Sequence, residues 1–505
     1  MPNNPLKLTF NTFAFRRRLS TALGTGQPLR RRTKLIFAVL IFLTSFIAKS
    51  LYAVDLAPLM YTAEQPFARL TYSYDQRAAA IVQGEGLLGP YDIEPTDTRA
   101  LARAPGYAIF LSAIYAVVGR DFFKVQIVQN LLNSISAVMI FLIAGAVISW
   151  RVGVIAGFLA ALSHHLSYMS NFILPDSICA LPILAAVYLL TQMKQPCRYR
   201  YLWFAAIGGL LGLSTWLRPQ AMLLSFALTL LLALLSTKRI ATLKQAAVMI
   251  VASLMAIIPI TIRNYRVHGE FVPVNIGVGL NLWEGIADYS GDRFGAVATD
   301  QGVAEQEALL YGNPAYAEMW SSPDGIRRDR DRVKKSFEII AQHPVWYAGV
   351  MLKRMRDMTK YSAQAPLVFA SESTRAIEPS QIRKEWRDVY PDRPTIAVGQ
   401  AVSFLRLPVR ALQRLTKEAM QLFILFGLLV MLIASPRRAL FLLMVPIYYL
   451  LFQSLMHTEF RYTLPMQYFL FIFAAIAWAL MGTAIWRAIS RLKRIVERRE
   501  ETEKG

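Results

Sequence analysis

The sequence predicts an all-α polytopic membrane protein, and three observations carry that prediction. Hydrophobic residues make up 55% of the 505 residues, charged residues only 17%, and the mean hydropathy is +0.37. A soluble chain carries about a quarter charged residues. The deficit is concentrated in runs nearly free of charge: 36–48, 125–149, 220–236, 246–262, 420–434 and 463–486. A span needs roughly 20 mostly apolar residues, and the chain offers about eleven candidates. Composition therefore excludes a soluble enzyme, a disordered chain, a disulfide-stapled secreted domain and an outer-membrane barrel.

Charge sets the order of the elements. Residues 1–34 hold eight Lys or Arg and no acid, as a tail retained in the cytoplasm does. The first apolar run ends in LYAVDLAP without a small-residue cleavage site, so it reads as an uncleaved anchor. The loop 57–104 follows outside, with six acids and four bases. Cytoplasmic turns are marked by Lys194, Arg198 and Arg200, by Lys238, Arg239 and Lys244, by Arg437 and Arg438, and by the tail 487–505 with seven bases against four acids. The net charge of +22 (55 − 33) thus reads as topology and headgroup attraction rather than nucleic-acid binding.

Beyond residue 200 the segments 201–217, 220–236, 246–262, 420–434, 439–455 and 463–486 alternate cleanly, and both termini lie inside. Five apolar stretches precede residue 194, yet an even number must cross. One of 104–119 and 152–172 therefore fails to span, giving ten full crossings and one partial or re-entrant helix. The organisation is a tail (1–34), a membrane module (35–262), a large outer segment (263–419), C-terminal membrane helices (420–486) and a second tail (487–505). Cys179 falls in an apolar segment and Cys197 beside a basic cluster, so the two do not pair. The loop 57–104, Asp176, Arg218, the segment 263–419 and the His457–Arg461 turn all fall on the outer face. A transporter would place ionisable residues near mid-bilayer, within repeats, and no internal repeat is visible.

Several segments on that face can carry chemistry. In YSYDQRAAAIVQGEG (72–86), Ser73 and Gln76 have capping-box spacing. A short helix is expected to start there, stop at Gly84 and lay its alanine-isoleucine face on the membrane interface. Asp75 would then sit in the first turn, either complementing the helix dipole or acting chemically. TRALARAPGYAIFLSAIYAVVG (98–119) starts an aromatic-rich helix at Pro105-Gly106, and TWLRPQ (215–220) ends one at Arg218. In IPITIRNYRVHGEFVPVNIGVGLNLWEG (258–285) a span ends at Arg263-Asn264-Tyr265, followed by Arg266. The chain then runs extended through 271–275 and turns at glycine to reach Trp283 and Glu284. HTEFRYTLP (457–465) sets His457, Glu459, Arg461 and Tyr462 between two spans.

Plainer readings stand beside these. Arginines at helix ends snorkel to headgroups, and interface aromatics form a belt. The adjacent His164 and His165 do not share a helix face, as a metal pair would. Gln126, Gln129, Asn130 and Asn133 read as interhelical hydrogen-bonders. The run Arg327-Arg328-Asp329-Arg330-Asp331-Arg332 reads as a solvated helix face.

Together, residues 70–285 and 457–486 resemble the membrane-embedded GT-C glycosyltransferases, in the bacterial branch akin to protein O-mannosyltransferases and the aminoarabinose transferase of lipid A. The marks are an aspartate in the first outer loop before an RAPGY-type helix start, the RNY…NLW.G stretch, and the Arg461-Tyr462…Pro465 element. The resemblance implies that Asp75 is the essential first-loop aspartate and that Asp176, in ILPDS (173–177), is a second catalytic acid. Many relatives carry a further acid or tyrosine near the first aspartate, where this chain has Gln76, Arg77 and Ala79.

It further implies inverting transfer of a sugar from a polyprenyl-phosphate donor to a hydroxyl acceptor (envelope glycan, lipid or protein) at the outer face of a bacterial inner membrane. Arg218, Arg263, Arg266 and Arg461 form the pool for the donor phosphate. Tyr265, Trp283, Glu284, His457 and Tyr462 are the substrate contacts. A divalent cation, Mg or Mn, either assists or is replaced by arginines. Three rivals remain: a flippase or transporter, a lipid-linked polysaccharide polymerase or ligase, and a non-catalytic assembly partner that tolerates Asp75→Asn.

Overall fold

The computed structural model describes residues 29–62, 65–86, 97–193, 199–317, 321–360, 403–417 and 419–503, together with Leu23 and Trp386. Most of the basic N-terminal tail, Lys194, Cys197 and Arg198 lie outside these. The described chain is helical, without a β-strand. In order, the helices of the first part are α1 (Arg31–Leu56), α2 (Ala68–Val82), α3 (Gly106–Val118), α4 (Phe122–Val147), α5 (Trp150–Ala161), α6 (His164–Met169), α7 (Ala180–Gln192), α8 (Arg200–Leu217), α9 (Leu224–Leu235) and α10 (Arg239–His268). A middle group holds α11 (Val278–Ser290), α12 (Asp300–Tyr311), α13 (Gly325–Gln342) and α14 (Pro344–Thr359). The last part is α15 (Arg406–Lys417), α16 (Met420–Ala434), α17 (Pro436–Leu442), α18 (Met444–Ser454) and α19 (Leu464–Glu503).

Among the described residues, α1, α4, α10 and the stretch Phe460–Ile495 are each long and apolar enough to cross a bilayer. The pair α15 and α16 passes the same test together across a 51° bend. This is a membrane protein. Helix α3 has 13 residues, about 20 Å at the α-helical rise, short of a hydrocarbon core of about 30 Å. It packs along α2 instead, bringing Tyr115 and the following Arg120 to Asp75. The second stretch expected to be interrupted breaks at Leu162-Ser163, between α5 and α6.

Helix α2 corrects the first-loop reading. It starts at Ala68, not at Ser73, so the Ser73–Gln76 pair lies mid-helix and caps nothing. Nothing in Ala68-Arg69-Leu70 opposes helix, and tertiary contacts set the start earlier. Phe67 meets Phe172 edge-on at 4.9 Å, and Tyr74 meets Tyr107 edge-on at 4.9 Å. The stop at Gly84 is as expected, with a positive φ of 82°. Ala78, Ala79 and Ala80 face protein rather than lipid.

The polar ladder of α4 does what its spacing suggests, against an irregular segment rather than another helix. Gln126 donates to the Asn171 carbonyl (2.8 Å), and Gln129 donates to those of Ser170 (3.1 Å) and Phe172 (3.0 Å). Asn130 donates to Asn171 Oδ1 (2.9 Å) and Asn133 to Ser177 Oγ (3.1 Å). Non-helical backbone inside a membrane protein needs such internal partners, and this stretch carries Asp176.

The arginine run in α13 is the second correction. Arg328, Asp329 and Arg332 are buried, not solvated. Glu307 of α12 receives both Arg328 (2.6 Å) and Arg332, which removes the cost of two lone buried cations. Asp329 Oδ1 accepts the backbone N–H groups of Gly277 and Gly279 (3.1 Å each), so it caps α11 from a distance.

Candidate active site

Asp75 stands in the middle of α2 and is fully buried. Its Oδ1 accepts the Tyr115 hydroxyl (2.8 Å) and Arg120 Nε (3.0 Å). Its Oδ2 accepts Arg120 Nη2 (2.6 Å) and the Trp386 indole N–H (3.0 Å). A carboxylate has about four lone-pair positions, and all four are filled. A divalent cation does not fit here, because donors and a guanidinium occupy the places its ligation would need. No group of three or more His, Cys, Asp or Glu among the described residues converges on a metal position.

Asp176 is the second buried carboxylate, paired through Oδ1 with Arg218 Nη2. Its Oδ2 is buried and has no hydrogen-bond partner. Arg218 follows the last turn of α8 in extended conformation, which turns its side chain back onto the 170–179 segment. The Arg218 guanidinium lies 4.9 Å from the Tyr462 ring, and that of Arg461 lies 5.0 Å from the same ring. Arg461 also covers Phe67 at 4.7 Å and pairs with Glu459. Its Nε and Nη1 are buried without partners. Two arginines with unspent donors thus flank one tyrosine beside an open carboxylate oxygen. A chain of contacts links this cluster to Asp75: Tyr74 packs on Tyr107, whose hydroxyl donates to Gln129 (2.5 Å), the residue that holds the segment leading to Asp176.

The structure holds a second basic feature. A cavity of about 100 Å³ is lined by Arg77, Arg103 and Arg263 with Pro105, Trp216 and Val274. It has room for several waters or a phosphate-sized anion, and among the described residues no carboxylate lines it. Burial, then the neighbouring Arg103, pull Arg77 down to about 10, with Arg263 adding to the fall. Three cations therefore converge with no counter-charge among the lining residues. Arg77 is held by the carbonyls of Arg99 (2.9 Å) and Ala100 (3.1 Å). Arg263 Nη2 is buried without a partner. The RAPGY start makes the wall possible, since a Cβ on Gly106 would fall 2.4 Å from the Trp216 carbonyl oxygen.

The NLWEG stretch docks on the turn before Arg461. His457 N donates to the Asn281 carbonyl (2.7 Å), and a Cβ at Gly285 would meet that same nitrogen at 2.6 Å. Arg354 of α14 clamps the joint, donating to the carbonyls of Gly285 and Ser454. His457 Nδ1 contacts Asp288 (2.9 Å), whose carboxylate raises the imidazole above its usual range. Asn264 of RNY donates to the carbonyls of Val272 and Val274 (3.0 Å each) and holds the extended 271–275 segment in place.

Other expected contacts fare differently. Trp283 packs in a core with Leu280, Ile286 and Tyr347 and donates to Gln306, so it presents no face to a sugar. Tyr265 is 59% exposed, and Arg266 is exposed beside it at the end of α10. Neither joins the buried clusters. Glu284 is buried, and desolvation followed by Asp300 pushes its carboxyl up to about 9. The folded state therefore holds this proton where the unfolded chain releases it, so stability falls as pH rises toward 9. Glu284→Gln is expected to raise the unfolding temperature in detergent by a few degrees at pH 8 and to lose that advantage near pH 5. An equal gain at both pH values would show that the carboxyl is ionised throughout.

Sequence reasoning missed Arg120, Tyr115, Trp386, Arg103 and Arg354. Of these, Arg103 and Tyr115 stand within the 98–119 segment, and Arg103, two residues before the Pro-Gly helix start, is the one that its motif could have marked.

The family profile described as dolichyl-phosphate-mannose-protein mannosyltransferase matches residues 102–262. That stretch runs from the RAPGY start through Asp176 and Arg218 to the end of the 246–262 span. This chain resembles that mannosyltransferase family over the matched residues. The match covers less than half of it. No curated protein matches significantly.

Among solved structures, the archaeal oligosaccharyltransferase AglB from Archaeoglobus fulgidus, in complex with an inhibitory peptide and a dolichol-phosphate, is 12% identical with a TM-score of 0.44. The alignment covers 89% of this chain and 52% of that one, so this chain spans about half its length. ArnT from Cupriavidus metallidurans, bound to undecaprenyl phosphate, is 13% identical with a TM-score of 0.35, covering 89% of this chain and 77% of that one. Similarity at this level transfers neither geometry nor residue roles.

Proposed function

We propose that this chain is a GT-C glycosyltransferase that moves a single sugar, with inversion, from a polyprenyl-phosphate donor to a hydroxyl of an envelope glycan, lipid or protein at the outer face of a bacterial inner membrane. The observation that carries the reading is the cavity lined by Arg77, Arg103 and Arg263 with no carboxylate among its lining residues, whose Arg77 stands on the same helix α2 as the buried Asp75. A lipid-linked donor brings an apolar tail and a phosphate, and the phosphate must stop where fixed cations meet it. Arg77, Arg103 and Arg263 supply that stop, and Arg218 and Arg461 stand ready for charge that develops on departure.

The acceptor oxygen attacks the anomeric carbon opposite the phosphate as the bond from carbon to phosphate oxygen breaks, through an oxocarbenium-like state. The bonding pair leaves with the polyprenyl phosphate. The acceptor's proton passes to a carboxylate, typically contributing about 10²–10⁴-fold. Asp75 is that base in the first reading, once one of its four donors gives way. The open Oδ2 favours a second reading, in which Asp176 takes the proton and Asp75 orders α2 and α3. Sidedness rests on the basic clusters, which keep both termini inside. Ten crossings with α3 as the partial helix fit the same scheme, as does the division at residues 34, 262, 419 and 486.

Transfer of labelled sugar by Asp75→Asn and Asp176→Asn at matched expression separates the two readings. Loss of about 100-fold or more in Asp75→Asn, with a milder loss in Asp176→Asn, supports Asp75 as base. The reverse order supports Asp176. Full activity in both variants would remove the carboxylate mechanism.

A further inference from the structure

Asp75 is saturated, and a base must offer a lone pair to the group it deprotonates. Its four donors are not equivalent. Tyr115 and Arg120 come from α3 and its exit, within 45 residues of Asp75 in sequence. Withdrawing Arg120 would leave a buried carboxylate without its charge partner, the costliest option. Tyr115 and Trp386 are both buried, but Tyr115 stands in α3, which packs along α2. The fourth donor, the indole N–H of Trp386, arrives from 311 residues away and is neutral, so its bond to the carboxylate is weaker than the guanidinium's. Its ring stands edge-on to Phe122 (5.5 Å) and Tyr72 (6.1 Å), so the pocket it fills has aromatic walls.

We propose that the Trp386 indole N–H holds the place of the acceptor hydroxyl on Asp75 Oδ2, and that the acceptor engages the base by displacing it. This rests on the first reading above, with Asp75 as base. Trp386 is then a positioning residue. It keeps water off the carboxylate while no acceptor is bound, and it competes with the incoming hydroxyl. Suppressed hydrolysis of the donor is the consequence: water, the smallest hydroxyl donor, finds no lone pair to use. In that side reaction water's oxygen bonds to the anomeric carbon, the polyprenyl phosphate leaves with the bonding pair, and one water proton goes to Asp75.

The test uses the full-length protein in detergent with a panel of labelled polyprenyl-phosphate hexoses and pentoses and no acceptor, reading release of free sugar. Trp386→Phe keeps the ring against Phe122 and Tyr72 and removes only the N–H. It is expected to release sugar about 3–10-fold faster than wild type, and Trp386→Phe with Asp75→Asn is expected to return to background. Tyr115→Phe, which frees Oδ1 on the side that α3 covers and leaves the Trp386 pocket filled, is expected to give no rise. Trp386→Ala gives a second reading if the phenylalanine variant is poorly folded. If neither Trp386 variant exceeds wild type while Asp75→Asn abolishes transfer, the displacement idea is overturned and the base assignment survives. If Asp75→Asn transfers normally, the base assignment has failed, and the proposal with it.

Discussion

Arg218→Ala is expected to cost about 3–5 kcal/mol of stability, because it strands Asp176 as a buried carboxylate without its cation. It is also expected to abolish detectable sugar transfer. The Asp176 side chain is 1% exposed, so water cannot replace the guanidinium. The double variant Arg218→Ala with Asp176→Asn removes the uncompensated charge and should recover much of the unfolding temperature without recovering transfer. Arg218→Lys should fold well and remain slow, since an ammonium can neither stack on Tyr462 nor present a planar fork to phosphate. Thermal unfolding and transfer measured on the same four proteins check this. Recovery of transfer in the double variant would mean that Arg218 only serves the fold.

The second large effect falls on the arginine cavity. Arg103→Ala or Arg263→Ala removes one of three cations that line the cavity without a lining carboxylate. A charge-assisted hydrogen bond is worth about 1.5–3 kcal/mol, so each change should raise the apparent KM for the donor roughly 10–100-fold. Both residues are only half-buried, so stability should hardly move. Relief of like-charge crowding around Arg77 could even raise it. Donor titration with each variant decides the matter: an unchanged donor KM would exclude the cavity from donor binding.

How far the sequence reveals this protein depends on the range of the interactions. The spans follow from local composition, and the observed α1, α4, α10, α16 and α19 sit where the apolar runs lie. The Gly84 stop, the Gly106 start and the extended 271–275 segment are local events too, dictated by φ preference and by one asparagine. Asp75 and Asp176 were legible as acids at unusual places. Their partners were not. Arg120 looks like any turn residue ahead of Asp121, and nothing near Trp386 in sequence points to α2.

The arginine run in α13 misled for the same reason. Alternating Arg and Asp residues conceal which face is buried until Glu307 arrives from another helix. Trp283 reads as a substrate contact because aromatic residues near an interface look alike in sequence. Its neighbours Leu280 and Ile286 make it core. The start of α2 shows the limit of a capping motif, since Phe67 and Tyr74 found tertiary partners that outweighed it.

The most direct measurement follows both halves of the donor. Membranes carrying the protein are supplied with labelled polyprenyl-phosphate sugars, and the free polyprenyl phosphate, the labelled acceptor and the anomeric configuration of the new bond are read together. Transfer predicts one polyprenyl phosphate released for each sugar attached, with the anomeric centre inverted. Donor that crosses the membrane intact, or a retained configuration, would contradict it.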